Sequence, residues 1–279
     1  MANDTDDHTS TDHTRTTRNR AIAWVDGRVL PAADATVPLT DEGFLRGDAV
    51  FEAMLVRNGR THALEPHLAR MQRSARALEL SLPPVRQVVA DLLAAWGERD
   101  GALRLIVTRG GAVRGILGAV SWPPTIALAT VSVPWRTAIS GVKTLSYAAN
   151  QWALRQAQAR EADDALIVDD GLLHELPSGA LVLVRDGRLS TPDPARLPIL
   201  DSVTVASLAE IVDVERTLPD LDALRSADEL FVVSATRPVL PVHAVVFDDG
   251  DEREYPAPGP VTKTLQASFA QHVVDHLDP

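Results

Sequence analysis

Four two-residue turns constrain the fold of this chain more than any other feature. Each is an Asp-Gly or Asn-Gly pair between two strand-like runs, at Asp26-Gly27, Asn58-Gly59, Asp170-Gly171 and Asp186-Gly187. Such pairs tolerate the positive φ angles of a type I′ turn, which joins two antiparallel strands through only two residues. The sequence therefore predicts β-hairpins in both halves of the chain.

Two amphipathic helices are predicted after the second hairpin. Apolar residues repeat on one helical face over Leu68–Leu78 and again over Val85–Trp96. Strands are then predicted at Leu103–Thr108 and Thr125–Val133, and the glycine-rich segment Arg109–Gly115 between them is predicted as a loop.

These signals together predict an α+β chain with two units. Residues 1–20 contain almost no apolar side chains and are predicted to be a disordered tail. A small N-terminal α+β domain is predicted over residues 21–134, an interdomain linker over 135–142 and a larger domain over 143–279. Strands of the second half alternate little with helices, which disfavours a Rossmann domain or a TIM barrel.

The amino-acid composition excludes several kinds of catalytic and binding site. The chain has no cysteine, which excludes disulfides, thiolate metal sites and cysteine nucleophiles, and no metal site is predicted. Its formal net charge of −11 argues against nucleic acid or an acidic membrane as a partner, because polyanions bind to Lys/Arg surfaces. The chain also lacks an apolar run long enough to span a membrane. A cytoplasmic protein with a small-molecule ligand is expected.

Lysine is unusually rare in this chain. Among 27 basic residues it occurs only at Lys143 and Lys263. Unlike a guanidinium, an amine can lose its proton and attack a carbonyl group. Lys143 lies where the predicted linker meets a helix, a usual place for a ligand cleft. It is interpreted either as a Schiff-base lysine or as a solvated cation near a helix start, whereas nothing distinguishes Lys263 from a surface residue.

Several separated motifs resemble the fold-type IV pyridoxal phosphate enzymes. They occur in the order known for that family, as L-R-G-D-A-V-F-E-A-M-L-V at 45–56, H-L-A-R-M-Q-R-S-A at 67–75, K-T-L-S-Y-A-A-N-Q-W-A-L at 143–154, D-D-A-L-I-V-D-D-G-L-L-H-E at 163–175 and V-R-D-G-R-L-S-T-P at 184–192. The resemblance extends from about Trp24 to Val274. It implies pyridoxal 5'-phosphate as cofactor, a two-domain α+β fold with the site between the domains, and a homodimer.

The resemblance also implies roles for single residues. Lys143 matches the lysine that holds the cofactor and later transfers the proton. Glu175 matches the glutamate facing the pyridine nitrogen, where a carboxylate keeps the nitrogen protonated. Tyr147 matches a position that hydrogen-bonds the ring oxygen. The residues implied at the cofactor phosphate are Arg70, Leu200, Val203, Thr204 and Thr236.

Each of these residues has an ordinary structural interpretation as well. Glu175 could be an exposed acid at a strand end, and Arg70 could be one of several charges on a solvated helix face. Three positions depart from the common family pattern, at Ala180, Ser202 and Val205. These departures leave open a divergent homologue without catalytic activity.

One branch of the family is favoured by two segments. T-R-G-G-A-V-R-G at 108–115 and K-T-L-S-Y at 143–147 resemble the aminodeoxychorismate lyases, which form 4-aminobenzoate and pyruvate. In that branch Arg109 and Arg114 would bind a substrate carboxylate, although two arginines beside glycines could equally be an exposed loop. The alternative activity is that of a branched-chain or D-amino acid aminotransferase.

Overall fold

Six antiparallel strands form the first sheet of the protein, whose computed structural model describes residues 21–278. The strand order is β2-β1-β6-β5-β3-β4, and every neighbouring pair is antiparallel. The elements of this part of the chain are β1 (Ile22–Val25), β2 (Arg28–Pro31), α1 (Glu42–Arg46), β3 (Ala49–Arg57), β4 (Arg60–Thr61), α2 (Leu64–Ala77), α3 (Arg86–Trp96), β5 (Gly101–Thr108) and β6 (Val113–Gly118).

The second sheet is larger and mixed. Its order is β12-β11-β10-β13-β14-β7-β8-β9, with β15 paired to β14, and the pairs β14-β7, β7-β8 and β11-β12 are parallel. Its elements and their connections are β7 (Ile126–Ser132), α4 (Ala148–Gln158), β8 (Asp164–Asp169), β9 (Leu172–Leu173), β10 (Ala180–Arg185), β11 (Arg188–Pro192), α5 (Val203–Leu208), β12 (Val214–Thr217), α6 (Leu221–Ser226), β13 (Glu229–Ser234), β14 (Arg237–Val246), β15 (Glu252–Glu254) and α7 (Pro260–Asp275).

All four predicted hairpins are confirmed. They join β1 to β2, β3 to β4, β8 to β9 and β10 to β11. Both residues of every turn have positive φ, for example 50° at Asp26 and 82° at Gly27. The α+β class and both helices of the N-terminal half are also confirmed, with α2 and α3 as those helices.

Two sequence-based assignments are corrected. The segment Arg109–Gly115 was predicted as a loop, but strand β6 already begins at Val113 because it pairs with β5. The strand predicted at Thr125–Val133 as the end of the first unit belongs to the second sheet, where it lies between β14 and β8. The chain therefore changes sheets between Gly118 and Ile126, before the linker predicted at 135–142.

The two faces of the first sheet differ sharply. One face packs against α2 and α3 through a core that includes Met54, Met71, Leu92 and Leu103. Because side chains alternate along a strand, the neighbours of Met54 and Leu103 point the other way. Along this second face Ala53, Arg104 and Ile116 stand in one cross-strand row. That face forms one wall of a cavity, and farther along β3 its Leu55 packs with Leu265 and Phe269 of α7.

The second sheet is covered on both faces. Helices α4, α5 and α7 pack along one face, α4 through alanines such as Ala153 and Ala157 and α5 and α7 through Val205, Leu265 and Phe269. The other face carries a core to which Leu224 of α6 belongs. The predicted disordered tail, residues 1–20, lies outside the described residues. No helix between residues 21 and 278 combines the length and apolar character that crossing a membrane requires.

Candidate active site

A cavity of about 750 Å³ lies between the two sheets. Its volume is in the range of small-molecule sites. The predicted site residues that line it are Arg70, Lys143, Tyr147, Glu175, Leu200, Thr204 and Thr236. Residues far apart in sequence are thus brought to one cavity.

The backbone around Lys143 is fixed on both sides. The Phe51 amide donates to the Lys143 carbonyl (3.1 Å), the Leu145 amide donates to the Ala49 carbonyl (3.0 Å), and the Lys143 amide donates to Ser74 Oγ (3.1 Å). The side chain enters the cavity, where Nζ lies 4.5 Å from the centroid of the Phe51 ring. Burial, together with the positive charge of Arg70, lowers the pKa of Lys143 to about 8. About a tenth of the amine is therefore unprotonated at pH 7, far more than for an ordinary lysine.

Gly47 holds the segment that follows the lysine. Thr144 and Ser146 both donate a hydroxyl hydrogen bond to the Gly47 carbonyl, at 3.2 and 3.3 Å. Gly47 has φ of 70°, and a Cβ at this position would lie 2.8 Å from Ser146 Oγ. A side chain here would therefore be strained and would push the lysine segment away from β3.

Glu175 follows β9 and points into the same cavity. The Trp135 indole Nε1–H donates to one carboxylate oxygen and the Leu200 amide to the other, both at 3.1 Å. Burial raises the pKa of Glu175, while these two donors and Lys143 favour its ionised form. The carboxylate is thus held in one orientation and keeps lone pairs for a protonated ring nitrogen.

Tyr147 lies four residues after the lysine, as the N-cap residue of α4. Its ring packs edge-on against Phe51, with centroids 5.3 Å apart. Burial raises the pKa of Tyr147 to about 12, so that its hydroxyl stays protonated and can donate a hydrogen bond into the cavity.

Arg70 marks a cationic end of the cavity. Its guanidinium is buried and donates through Nη1 to the carbonyl of Asp201 at 3.0 Å. Asp201 precedes Ser202, the N-cap of helix α5, so Arg70 is bound to the turn that leads into the first amides of that helix, those of Val203 and Thr204. The Val203 side chain itself does not line the cavity, whereas the Thr204 and Thr236 side chains border it.

The three departures from the family pattern are accommodated locally. Ser202 is the N-cap of α5, and its Oγ accepts the Val205 amide at 3.3 Å. Val205 is fully buried in the core beneath the sheet, and Ala180 lines the cavity where β10 begins. These residues leave Arg70 and the first amides of α5 in place.

The donor set fits pyridoxal phosphate. One end offers Arg70, two threonines and the first amides of α5, which suit a phosphate group. Lys143 offers an amine of lowered pKa, and Glu175 and Tyr147 offer a carboxylate and a hydroxyl. The phosphate, the aldehyde and the pyridine ring of the cofactor would thus each find a residue of suitable chemistry.

Arg109 and Arg114 lie outside this lining. The Arg109 guanidinium is occupied by both carboxylate oxygens of Asp48 and by the carbonyls of Leu78 and Glu79. Arg114 pairs with Asp26 at 3.0 Å. The structure thus places the two arginines predicted to receive the substrate carboxylate outside the cavity lining of one chain, each paired with an aspartate.

The cavity contains an arginine that motif matching missed. Arg104 is exposed at the centre of β5, and its Cζ lies 5.1 Å from the Phe51 ring centroid. In the described part of the chain it forms no ion pair. A signal was present, since an arginine interrupts an otherwise apolar strand, but only the pairing of β5 shows which face it occupies. Trp135, predicted as linker, likewise belongs to the site through its bond to Glu175.

Comparisons with known proteins agree on one family. Residues 49–245 match the sequence profile of the amino-transferase class IV family. The chain is 31% identical over 278 residues to the putative branched-chain-amino-acid aminotransferase of Methanocaldococcus jannaschii, covering 88% of this chain and 94% of the relative. It is 32% identical over 242 residues to the bifunctional aminodeoxychorismate lyase/D-amino acid transaminase of Mycobacterium tuberculosis, covering 74% and 83%. A hypothetical aminotransferase from M. tuberculosis in its pyridoxal phosphate-bound form superposes with a TM-score of 0.80, at 27% identity and 91% and 99% coverage.

Proposed function

The chain belongs to the class IV aminotransferase family of pyridoxal phosphate enzymes, and from that premise we propose that it is a 4-amino-4-deoxychorismate lyase. Its products would be 4-aminobenzoate and pyruvate. The observation that supports this most is Arg104, which lies beside the lysine and forms no ion pair within residues 21–278. Both Lys143 Nζ and the Arg104 guanidinium lie against the Phe51 ring, at 4.5 and 5.1 Å from its centroid. A bulky amine that has carboxylates suits this arrangement.

The wall near Arg104 leaves room for a cyclic substrate. Three of its neighbours in the sheet are small, with Ala53 beside it on β3, and Ala102 and Gly118 in the adjacent cross-strand row, whereas Ile116 lies beside it on β6. Ile116 and Trp122 add apolar surface to the lining. This wall of the cavity therefore combines apolar surface with the Arg104 guanidinium, which fits a six-membered ring with acidic substituents.

The residues can be given separate tasks in this reaction. Bound pyridoxal phosphate supplies an electron-accepting ring that stabilises negative charge at the substrate carbon. Arg70 and the start of α5 would hold its phosphate, and Glu175 its ring nitrogen. The Lys143 amine, with its lowered pKa, can accept a proton from the substrate and return one. Arg104 would orient a carboxylate, and the loss of pyruvate is favourable because the remaining ring becomes aromatic.

D-amino acid transamination is the second candidate. The M. tuberculosis relative is named for both activities. The same amine and carboxylate serve either reaction, because both begin with proton removal from a carbon next to the substrate nitrogen. The groups that bind the rest of the substrate decide the outcome.

Product analysis tests the assignment directly. We expect 4-aminobenzoate and pyruvate in equal amounts when the purified protein receives 4-amino-4-deoxychorismate. The same preparation is then given D- and L-amino acids with 2-oxo acids, and amino transfer is measured. If transfer occurs and no 4-aminobenzoate forms, the lyase assignment is wrong.

Replacing Arg104 with methionine is expected to raise KM for the carboxylate substrate by about tenfold to a hundredfold. Loss of a hydrogen bond to a charged group costs about 1.5–3 kcal/mol, and methionine preserves the apolar stem of the side chain. We expect a smaller change in kcat, since Lys143 is untouched. Steady-state kinetics measure both values, and Arg28→Met, an exposed arginine of β2 in the same sheet, is the control. An unchanged KM would remove Arg104 from substrate binding.

A further inference from the structure

Glu52 is a fully buried carboxylate that the proposed reaction does not use. It lies on β3 with no exposed surface. Two donors of Arg70 reach it, Nε at 2.8 Å from Oε1 and Nη2 at 2.7 Å from Oε2. His67 Nδ1 lies 2.8 Å from Oε2 as a third contact. The pairing with Arg70 and His67 holds the pKa of Glu52 at about 2, against the opposing effect of burial, so the group is ionised.

This geometry fixes the plane of the Arg70 guanidinium. The carboxylate occupies the edge formed by Nε and Nη2, in the two-point arrangement that gives the most directional contact between these groups. Nη1 is thereby turned toward the turn before α5, where it donates to the Asp201 carbonyl at 3.0 Å. Since Nη1 has two hydrogens, one is left for an anion beside Val203 and Thr204.

His67 contacts the same carboxylate oxygen, Oε2, as Arg70 Nη2 does. An ionised carboxylate can only accept hydrogen bonds, so His67 Nδ1 must be the donor. Burial lowers the pKa of His67, which keeps the ring neutral. His67 and Arg70 lie one turn apart on α2, so the same helix supplies all three donors.

Net stability does not explain this arrangement. Burying an ion pair costs about as much in desolvation as the pair regains, and such pairs are often replaceable by apolar residues without loss of stability. What the pair does provide is a single orientation for a guanidinium at the edge of the cavity.

We propose that Glu52 is a positioning residue for the cofactor phosphate, which it affects by orienting Arg70. The inference rests on the proposed role of Arg70 as a phosphate ligand. It predicts that Glu52 contributes to the binding of pyridoxal 5'-phosphate but not to that of pyridoxal, which lacks the phosphate. A residue needed only for packing would affect both ligands alike.

The test measures the two dissociation constants on the full chain after the cofactor has been released from Lys143 with hydroxylamine and removed by dialysis. The ratio of the pyridoxal constant to the pyridoxal phosphate constant reports the contribution of the phosphate. For Glu52→Gln, which keeps the shape of the side chain, we expect this ratio to fall about tenfold, the scale of one charged hydrogen bond. The pyridoxal constant itself should change by less than about twofold.

A double variant separates this inference from the role of Arg70. Glu52→Gln/Arg70→Gln leaves no unpaired charge in the buried site, and its ratio should fall below that of Glu52→Gln. A wild-type ratio in the double variant would overturn the phosphate role of Arg70. If the double variant has a reduced ratio and Glu52→Gln has the wild-type ratio, the inference about Glu52 is overturned while the phosphate role of Arg70 stands.

If Glu52→Gln does not fold, Glu52→Asp gives the same comparison. It keeps the charge but shortens the side chain by one methylene, which prevents both contacts with Arg70 from forming at once. We then expect a smaller fall in the ratio with unchanged pyridoxal binding, and equal losses for both ligands would overturn the proposal.

Discussion

Replacing Lys143 with alanine is expected to lower kcat by at least about a thousandfold, since a nucleophile and a proton-transfer group are lost together. The visible absorption of bound cofactor should be lost as well. The fold should survive, because the bonds to Phe51 and Ser74 use only the backbone of residue 143. Absorbance of the purified protein and single-turnover product formation measure the two effects.

The composition of the chain provides an unusually clean control. Lys263 is the only other lysine, and it is exposed on α7. Lys263→Ala should keep both the visible band and the activity. After borohydride treatment, cofactor should be attached to residue 143 and not to residue 263, and attachment at Lys263 would contradict the assignment.

The hairpins could be predicted because their signals are local. In each turn the two central residues require positive φ, and the Asx-Gly pair satisfies this requirement within two positions. The placement of β7 could not be predicted in the same way. Its apolar run fits either sheet, and its neighbours β14 and β8 begin at Arg237 and Asp164, far along the chain. Pairing over such distances depends on the packing of the whole chain.

For the site residues too, local sequence motifs predicted some positions, whereas others depend on contacts between distant parts of the chain. The motifs around Lys143 and Glu175 gave residues that do line the cavity. Arg109 stood in an equally suggestive motif, yet Asp48 and two carbonyls bind its guanidinium. Arg104 and Glu52 lie in strands whose sequences are otherwise mostly apolar. The contacts of each side chain depend on the face of the strand that it occupies and on the residues opposite that face. The sequence motifs thus indicated residues that line the cavity, whereas the positions of Arg104 and Glu52 follow from the pairing of the strands.

Changing Glu175 to glutamine is expected to lower kcat about a hundredfold while the cofactor stays bound. The substitution keeps size and removes the charge proposed to face the ring nitrogen, and a hundredfold corresponds to about 2.7 kcal/mol in the barrier. The amide oxygen can still accept from Trp135, but the amide NH₂ would face the Leu200 amide, a donor, so one contact of the carboxylate is lost.

The result expected for Glu175→Gln differs from that expected for Lys143→Ala, and the difference tests whether the two residues have separate roles. Glu175→Gln should retain the visible band, because Lys143 and Arg70 are unchanged, and should lose rate only. The matched control is Glu215→Gln, an exposed acid of β12, which should behave as wild type. If Glu175→Gln instead kept its rate but released the cofactor, Glu175 would be a binding residue and the charge at the ring nitrogen would have to come from elsewhere. If it kept both, the burial of this carboxylate between Trp135 and Leu200 would be structural.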